Sequence, residues 1–168
     1  GSQLPRRFRA PNRRDVCGEE VADIRVKAAN LNAVDVDEKD VVLAIDEIPI
    51  LIMEAALSHG TTRIRGAGEL RVKESDRLSM SAAILKSFGI KYQEHDDGID
   101  IEGNPSLHFE NPINLQDNLK GASWKISGDH RIAMCGAIME LFVTGDFELN
   151  DVAAVETSFP RFSETLRD

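Results

Sequence analysis

The order of hydrophobic and polar positions predicts a mixture of strands and helices. Residues Val21–Ala28 alternate apolar and charged side chains, which predicts a half-buried strand that Leu31–Val36 continues. Thr61–Arg65 alternates in the same way and predicts a second strand. The apolar pairs of Ile90–Tyr92 and Ile99–Ile101 flank an Asp-Asp-Gly turn, which is typical of a hairpin.

Two stretches have the composition of helices with defined ends. In Asp46–Ser58, apolar residues cover nearly the whole circumference, so we expect a helix that is buried on most sides. We expect Asp46 to be its N-cap, Pro49 to lie in its first turn and Gly60 to close it. Asp76–Phe88 carries one apolar stripe and is followed by Gly89, so it predicts an amphipathic helix.

The C-terminal part of the chain is less sharply patterned. It predicts strands at Trp124–Ile126 and Phe147–Leu149, a largely apolar helix at Gly128–Val143 and a short amphipathic helix at Pro160–Leu166. Residues 103–121 are rich in Asn, Pro and Gly, and the pattern there decides no element.

The predicted elements recur along the chain. Asp129 follows Asp46 by 83 residues, Gly145 follows Gly60 by 85, and Pro160 follows Asp76 by 84, so helix starts and Gly-led strands repeat together. Such self-similarity indicates two copies of a β-α-β-α-β-β unit. Helices that are apolar nearly all round are expected to form a shared centre with the sheets outside. We therefore predict an α/β fold in mixed layers (α+β layered) built from repeated units.

Length and charge narrow the possible functions. The chain has 168 residues, enough for one domain with a real core. Its formal net charge is -9, which argues against nucleic acid or an anionic membrane as a partner. Cys17 and Cys135 fit no metal or redox spacing, and no stretch has the length of a membrane span or the pattern of a signal peptide. We expect a cytoplasmic protein.

The N-terminus differs from the rest of the chain. Gly1 and Ser2 resemble the remnant of a cleaved tag, and a basic run with two prolines follows them. We predict that residues 1–16 are a tag remnant with a basic tail or edge segment, and that residues 17–168 hold the repeats.

Two charged blocks carry the candidate chemistry. The first is Arg71–Leu78 (RVKESDRL) and the second is Ser127–Met134 (SGDHRIAM), and each begins a predicted helix. Lys73 and Arg77 are four residues apart, so they share a helix face if the helix has begun, and cations at a helix N-terminus suit a bound anion. The alternative is that Ser75 or Asp76 caps the helix and the other charges are solvated.

The two blocks together resemble the signature motifs of the C-terminal half of the EPSP synthase family. The lead-in Ile45–Pro49 (IDEIP) and the closing Thr157–Pro160 (TSFP) match in the same order, and the resemblance covers about residues 18–166. It implies transfer of the enolpyruvyl group of phosphoenolpyruvate to the 5-hydroxyl of shikimate 3-phosphate, with release of phosphate and without a metal or organic cofactor. Family members are much longer, so the resemblance also implies a C-terminal portion whose partner, the N-terminal domain, is missing.

The resemblance implies a role for each motif residue. Asp46 and Glu74 correspond to the acid/base carboxylates, and Lys73 to a residue that shares proton transfer or holds a substrate anion. Arg77 and Arg131 correspond to the ligands of phosphoenolpyruvate, while Asp46 and Lys73 also correspond to residues that bind shikimate 3-phosphate. We expect Asp76 and Asp129 to fix the arginines, and we expect no metal ligands.

Several motif residues also suit ordinary structural roles. Asp46 and Asp129 can be plain helix caps, Glu74 can be a surface residue, and Arg131 can pair with an internal carboxylate. The chain can be a non-catalytic scaffold or anion-binding module, or it can belong to the sister enolpyruvyl transferase of cell-wall synthesis, although neither cysteine suggests that enzyme. Glu156 and Thr157 stand where some family members carry a lysine, so sensitivity to glyphosate is unpredictable.

Overall fold

The computed structural model describes residues 8–9, 11–27, 29–107, 113–114, 128–144 and 153–167. The chain divides into two compact units at the boundary between Asn30 and Leu31. The boundary predicted at residue 16 stays a prediction. The strands predicted at Trp124–Ile126 and Phe147–Leu149 lie outside the described residues.

The first unit contains four short strands. They are β1 (Phe8–Arg9), β2 (Arg14–Val16), β3 (Glu19–Val21) and β4 (Arg25–Val26); β2 pairs antiparallel with β3, and β1 pairs antiparallel with β4. The prediction of one half-buried strand over Val21–Ala28 is wrong. The chain leaves β3 at Val21 and the apolar side chains of Ile24 and Val26 are 67% and 73% exposed, so the alternation marks no buried face within this unit.

The second unit contains a four-stranded sheet. Its strands are β5 (Asp35–Val36), β6 (Thr61–Ile64), β7 (Lys91–His95) and β8 (Gly98–Glu102), in the order β5-β6-β8-β7. β5 and β6 are parallel, and the other neighbours are antiparallel. The predicted strand at Thr61–Arg65 and the predicted hairpin around residues 96–98 are therefore confirmed.

Six helices accompany the strands in the part of the chain that the structure describes. They are α1 (Glu38–Leu43), α2 (Ile48–Ala56), α3 (Arg77–Ser87), α4 (His130–Met139), α5 (Ala153–Ser158) and α6 (Phe162–Arg167). Helix α3 agrees with its prediction, since Asp76 caps it and Gly89 follows it with a φ of 66°. Helix α4 ends earlier than predicted, at a 3-10 turn over Glu140–Phe142. The sequence pattern did not predict α1 or α5.

The predicted role of Asp46 as an N-cap is wrong. Asp46 lies in a 3-10 turn, Ile45–Glu47, and the N-cap position of α2 is Glu47, whose side chain makes no capping hydrogen bond. Pro49 does lie in the first turn of α2, as expected. The carboxylate of Asp46 is instead bound by two arginines, which explains why it does not cap its own helix.

The described parts of the two predicted repeats share a parallel strand–helix–strand arrangement. Along the chain, α2 comes between β5 and β6, which pair in parallel. In the same way α4 comes between β9 (Ile113–Asn114) and β10 (Val143–Thr144), which also pair in parallel. Helices α2, α3 and α4 contact one another, so they form the predicted helical centre. The apolar side chains that they bury include Ile48, Ile52, Met53, Leu78, Leu85, Ile132 and Met139.

Within the described residues, no helix combines the length and the apolar composition needed to cross a bilayer.

Candidate functional site

The helical centre places the two charged blocks side by side. Arg77 is the first residue of α3 and Arg131 is the second residue of α4, while Asp46 lies in the turn before α2. Because these three helices pack together, their N-terminal ends bring distant side chains into contact. We call Asp46, Glu74, Arg77, Asp129 and Arg131 the carboxylate–arginine cluster.

Arg77 lies at the centre of this cluster. Its side chain is only 1% exposed, and its Nη1, Nη2 and Nε atoms contact Asp46 Oδ1 at 2.8 Å, Glu74 Oε2 at 2.5 Å and Asp129 Oδ2 at 2.9 Å. Burial alone would lower the pKa of Arg77, but the bonds to Asp129 and the other carboxylates outweigh it and raise this pKa. Arg77 is therefore a buried cation that holds three carboxylates in place.

Asp129 joins the two charged blocks. It is fully buried, and it caps α4 by accepting hydrogen bonds from the backbone N–H groups of Arg131 at 3.0 Å and Ile132 at 3.4 Å. Its other oxygen accepts from Arg77 Nε at 2.9 Å and from the hydroxyl of Ser75 at 2.8 Å. Burial would raise the pKa of Asp129, yet Arg77 and Ser75 outweigh it and lower this pKa. The expectation that Asp129 fixes the arginines is thus confirmed for Arg77.

Arg131 lies at the more open side of the cluster. Its Nη1 donates to the backbone oxygen of Asp46 at 3.0 Å and lies 3.4 Å from Glu47 Oε1, and its Nη2 lies 3.5 Å from Asp46 Oδ2. Its side chain is 32% exposed, compared with 1% for Arg77. Asp46 therefore lies between the two arginines, one oxygen toward each.

Lys73 lies close to the cluster but binds a different carboxylate. Its Nζ is 2.5 Å from Glu69 Oε1, and its side chain is 25% exposed. The hydrogen bond to Glu69 is the main cause that raises the pKa of Lys73; the charge of Asp46 also raises it, and the charge of Arg77 lowers it. These charge effects mean that Lys73 lies near the Asp46–Arg77 pair while it bonds to Glu69.

Exposure divides the cluster into a buried part, formed by Arg77 and Asp129, and an open face. Asp46 and Glu74 are 43% and 58% exposed, so both carboxylates can reach a ligand. Arg131 shares this face, whereas Arg77 reaches a ligand only if it gives up a carboxylate. The open face thus combines two proton-accepting groups with one cation that suits a phosphate or carboxylate. His130, the first residue of α4 and the chain neighbour of Arg131, is half-buried.

Two contributors were missed from the sequence. Ser75 bonds to Asp129 across 54 positions of the chain, and Glu47 pairs with Arg131 across 84. Ser75 stands inside the first charged block and Glu47 directly follows Asp46, so their positions were suggestive, but only the packing of α2, α3 and α4 supplies their partners.

The structure also offers no ready metal site among the residues that it describes. No group of three or more His, Cys, Asp or Glu side chains there is arranged to hold a metal ion.

Comparisons with known proteins agree with the motifs. A sequence model of EPSP synthase (3-phosphoshikimate 1-carboxyvinyltransferase) matches residues 10–166. A 3-phosphoshikimate 1-carboxyvinyltransferase of Syntrophomonas wolfei is 39% identical over 165 residues, which are 98% of this chain and 36% of that protein. One from Citrifermentans bemidjiense is 41% identical over 155 residues, covering 92% of this chain and 33% of that protein.

A solved structure is similar over almost the same range. EPSP synthase from Acinetobacter baumannii superimposes with a TM-score of 0.82 at 37% identity, covering 95% of this chain and 35% of that one. The chain therefore spans about a third of the length of the relatives that it matches, and its fold is α/β like theirs. On the sequence match and the structural match together, the chain belongs to the EPSP synthase (3-phosphoshikimate 1-carboxyvinyltransferase) family.

Proposed function

We propose that this chain supplies the part of an EPSP synthase active site that binds phosphoenolpyruvate and moves its protons. The observation that carries the proposal is the carboxylate–arginine cluster, in which Asp46, Glu74 and Arg131 share an open face although they are far apart in sequence. A surface formed by chance has no reason to gather two acid/base candidates around one partly exposed guanidinium.

The proposed reaction needs three proton movements. The 5-hydroxyl of shikimate 3-phosphate loses its proton as its oxygen bonds to C2 of phosphoenolpyruvate, and C3 of phosphoenolpyruvate gains a proton. C3 then loses a proton, the bond from C2 to the phosphate oxygen breaks, and phosphate leaves. We assign these transfers to Asp46 and Glu74, with Lys73 beside them, because positioned carboxylates can both accept and return a proton.

The cations have the complementary task in this proposal. Arg131 binds an anionic group of phosphoenolpyruvate, supported by its position in the first turn of α4, where backbone N–H groups also attract an anion. Arg77 binds the second anionic group only after exchanging one of its three carboxylates for the substrate. Asp46 and Lys73 also contact shikimate 3-phosphate.

The chain is expected to need a partner for this reaction. It spans about a third of its relatives' length, and the remaining residues of such a protein would supply much of the shikimate 3-phosphate pocket. We therefore propose that the chain is inactive alone and works with the missing N-terminal domain. A cytoplasmic location stays a prediction.

The test is release of phosphate from phosphoenolpyruvate and shikimate 3-phosphate. The chain is assayed alone and mixed with the N-terminal portion of the Syntrophomonas wolfei relative, and that portion mixed with its own C-terminal third is the positive control. We expect turnover only in the mixtures, and we expect Arg131→Ala to abolish it. Arg161→Ala is the matched control, because Arg161 is 77% exposed and pairs locally with Glu164. An inactive mixture beside an active positive control would refute the proposal.

One observation favours the alternative of a non-catalytic scaffold over that of an anion-binding module. Every side-chain nitrogen of Arg77 contacts a carboxylate, and the cluster contains three carboxylates for two arginines. The negative charges therefore outnumber the positive charges that would attract an anionic ligand. A scaffold predicts that the mixture neither binds phosphoenolpyruvate, as measured by calorimetry, nor releases phosphate, whereas an anion-binding module predicts binding without release.

A further inference from the structure

Arg71 stands in the first charged block but has no role in the proposed chemistry. It lies near the end of the 3-10 helix Gly68–Val72, and its side chain is 25% exposed. Its guanidinium group contacts two different parts of the second unit, the β7–β8 hairpin and the N-terminus of α3.

Two of the contacts with the hairpin are to the backbone of its turn. Arg71 Nη2 donates to the backbone oxygen of His95 at 2.6 Å, and Nε donates to that of Asp96 at 2.8 Å. The backbone N–H of Ala67 donates to the oxygen of Asp97 at 2.7 Å, so the segment that leads to Arg71 is bound to the same turn. This turn connects β7 and β8, which pair antiparallel over five residues, so the strands hold the turn in place.

The remaining contacts of Arg71 are to side chains, at the start of α3 and on β7. Arg71 Nη1 lies 3.0 Å from Asp76 Oδ2 and 3.0 Å from the hydroxyl of Ser79, and it lies 2.8 Å from Glu94 Oε1 on β7. Asp76 is the N-cap of α3 and accepts the backbone N–H of Ser79 at 2.9 Å. The bond to Glu94, followed by that to Asp76, raises the pKa of Arg71, so this cation is held in its charged form.

Arg71 and Asp76 therefore bracket the segment 72–75, which contains Lys73 and Glu74. Their ion pair closes this segment into a short loop, and the hairpin holds the loop from outside. The apolar side chain within the loop, Val72, is 79% exposed, so burial does not anchor it. Ser75 is held separately by Asp129. Lys73 and Glu74 also make their own ion pairs, with Glu69 and Arg77, so Arg71 and Asp76 fix the backbone from which these two side chains extend.

We propose that Arg71 is a positioning residue that holds the segment 72–75 so that Glu74 and Lys73 face the substrate. This inference rests on the proposed function and adds a residue that touches no substrate. A positioning role differs from plain stabilisation, because it affects the chemical step more than the binding of phosphoenolpyruvate by Arg131, which lies on another helix.

The experiment compares Arg71→Met with Arg63→Met. Methionine provides an unbranched apolar stem but makes no ion pair. Arg63 is a matched control, because it also pairs with a carboxylate, that of Asp35 at 3.3 Å, but it is 53% exposed and this pair links β6 to β5, which are already bonded as strands. Hydrogen exchange of residues 72–76 is measured in the chain alone, and phosphate release is measured in the mixture with the N-terminal portion.

We expect Arg71→Met to raise exchange in this segment by about tenfold, because the segment opens more often once its brace is removed. In the mixture we expect kcat to fall by about tenfold or more, with KM for phosphoenolpyruvate changed by less than about twofold. Arg63→Met should change neither quantity. Unchanged exchange would overturn the proposal, and so would a rise in KM at constant kcat.

Two further outcomes are informative. If Arg71→Met does not fold, Arg71→Lys takes its place, because lysine can pair with one carboxylate but cannot reproduce the several hydrogen bonds of a guanidinium group. The same loss of kcat is expected for Arg71→Lys. A wild-type kcat in that variant would overturn the proposal. If the unmodified mixture has no turnover beside an active positive control, the proposed function fails, while the exchange measurement still decides whether Arg71 holds the segment.

Discussion

Replacing Asp129 with asparagine removes one negative charge from the buried part of the carboxylate–arginine cluster. Asp129 is fully buried, and its Oδ2 accepts from Arg77 Nε at 2.9 Å and from the Ser75 hydroxyl at 2.8 Å. Asparagine retains one oxygen, which can still accept the backbone N–H groups at the start of α4. Its amide NH2 group then faces two other donors, Arg77 and Ser75, and Arg77 loses its most buried partner.

The expected loss of stability follows from these contacts. Removing one partner of a buried ion pair costs about 3–5 kcal/mol. Asparagine caps helices nearly as well as aspartate, so the cap contributes little to this loss. A loss of this size is a large part of the roughly 5–15 kcal/mol that stabilises a typical domain. For a chain of this length it lowers Tm by about 6–20 °C.

Equilibrium unfolding in urea measures the effect, and Asp37→Asn is the matched control. Asp37 is also an N-cap aspartate, of α1, but its side chain is 57% exposed. We expect the control to leave the urea midpoint nearly unchanged. Equal losses in the two variants, or a loss below about 1 kcal/mol for Asp129→Asn, would refute the argument that the buried pair stabilises the fold.

The pH dependence gives an independent test of the same residue. The pKa of Asp129 is lowered from 3.8 in the folded chain, so its contribution to stability is present above that value. The contribution is lost as the pH falls below 3.8 through the folded pKa. We expect the urea midpoint of the wild type to fall more steeply below about pH 4 than that of Asp129→Asn. Parallel pH profiles would contradict the assignment.

Two further predictions concern the packing of a buried thiol and of a glycine. Cys135 is 3% exposed and burial raises its pKa to about 12, whereas Cys17 is exposed. A thiol reagent at neutral pH should therefore label Cys17 at once and Cys135 only on unfolding. Equal labelling rates of the two cysteines in the folded chain would contradict this prediction. A Cβ on Gly98 would lie 2.0 Å from the backbone oxygen of Ile64, so Gly98→Ala should cost about 1–3 kcal/mol in urea unfolding. Gly68→Ala is its control, because its Cβ would meet nothing closer than 3.9 Å; equal costs would contradict the steric argument.

The parts of the fold that were predicted correctly depend on local chemistry. Helix α3 has its cap, its apolar stripe and its terminating glycine within 14 consecutive residues, from Asp76 to Gly89. The β7–β8 hairpin likewise has its turn and its apolar pairs in one short stretch. Patterns of this kind need no knowledge of the rest of the chain, and they were sufficient here.

The parts that were missed depend on distant partners. Asp46 has the sequence context of an N-cap, but Arg77 and Arg131 bind its carboxylate, and neither is near it in sequence. Arg71 was visible in the first charged block, yet its partners at His95 and Asp96 come from a turn that packs against it only in the folded chain. The motifs therefore indicated the residues of the carboxylate–arginine cluster, whereas the burial of Arg77 and the contacts of Arg71 with the hairpin turn became visible only in the packing.

The most direct test of the central claim follows hydrogen at C3 of phosphoenolpyruvate. The mixture with the N-terminal portion is allowed to react in D2O, and deuterium in the methylene group of the product is measured by mass spectrometry. We predict incorporation by the wild type, its loss together with turnover in Glu74→Gln, and its persistence in Glu164→Gln, a control because Glu164 is 67% exposed on α6. Undiminished incorporation and turnover in Glu74→Gln would contradict the assignment of acid/base chemistry to this cluster.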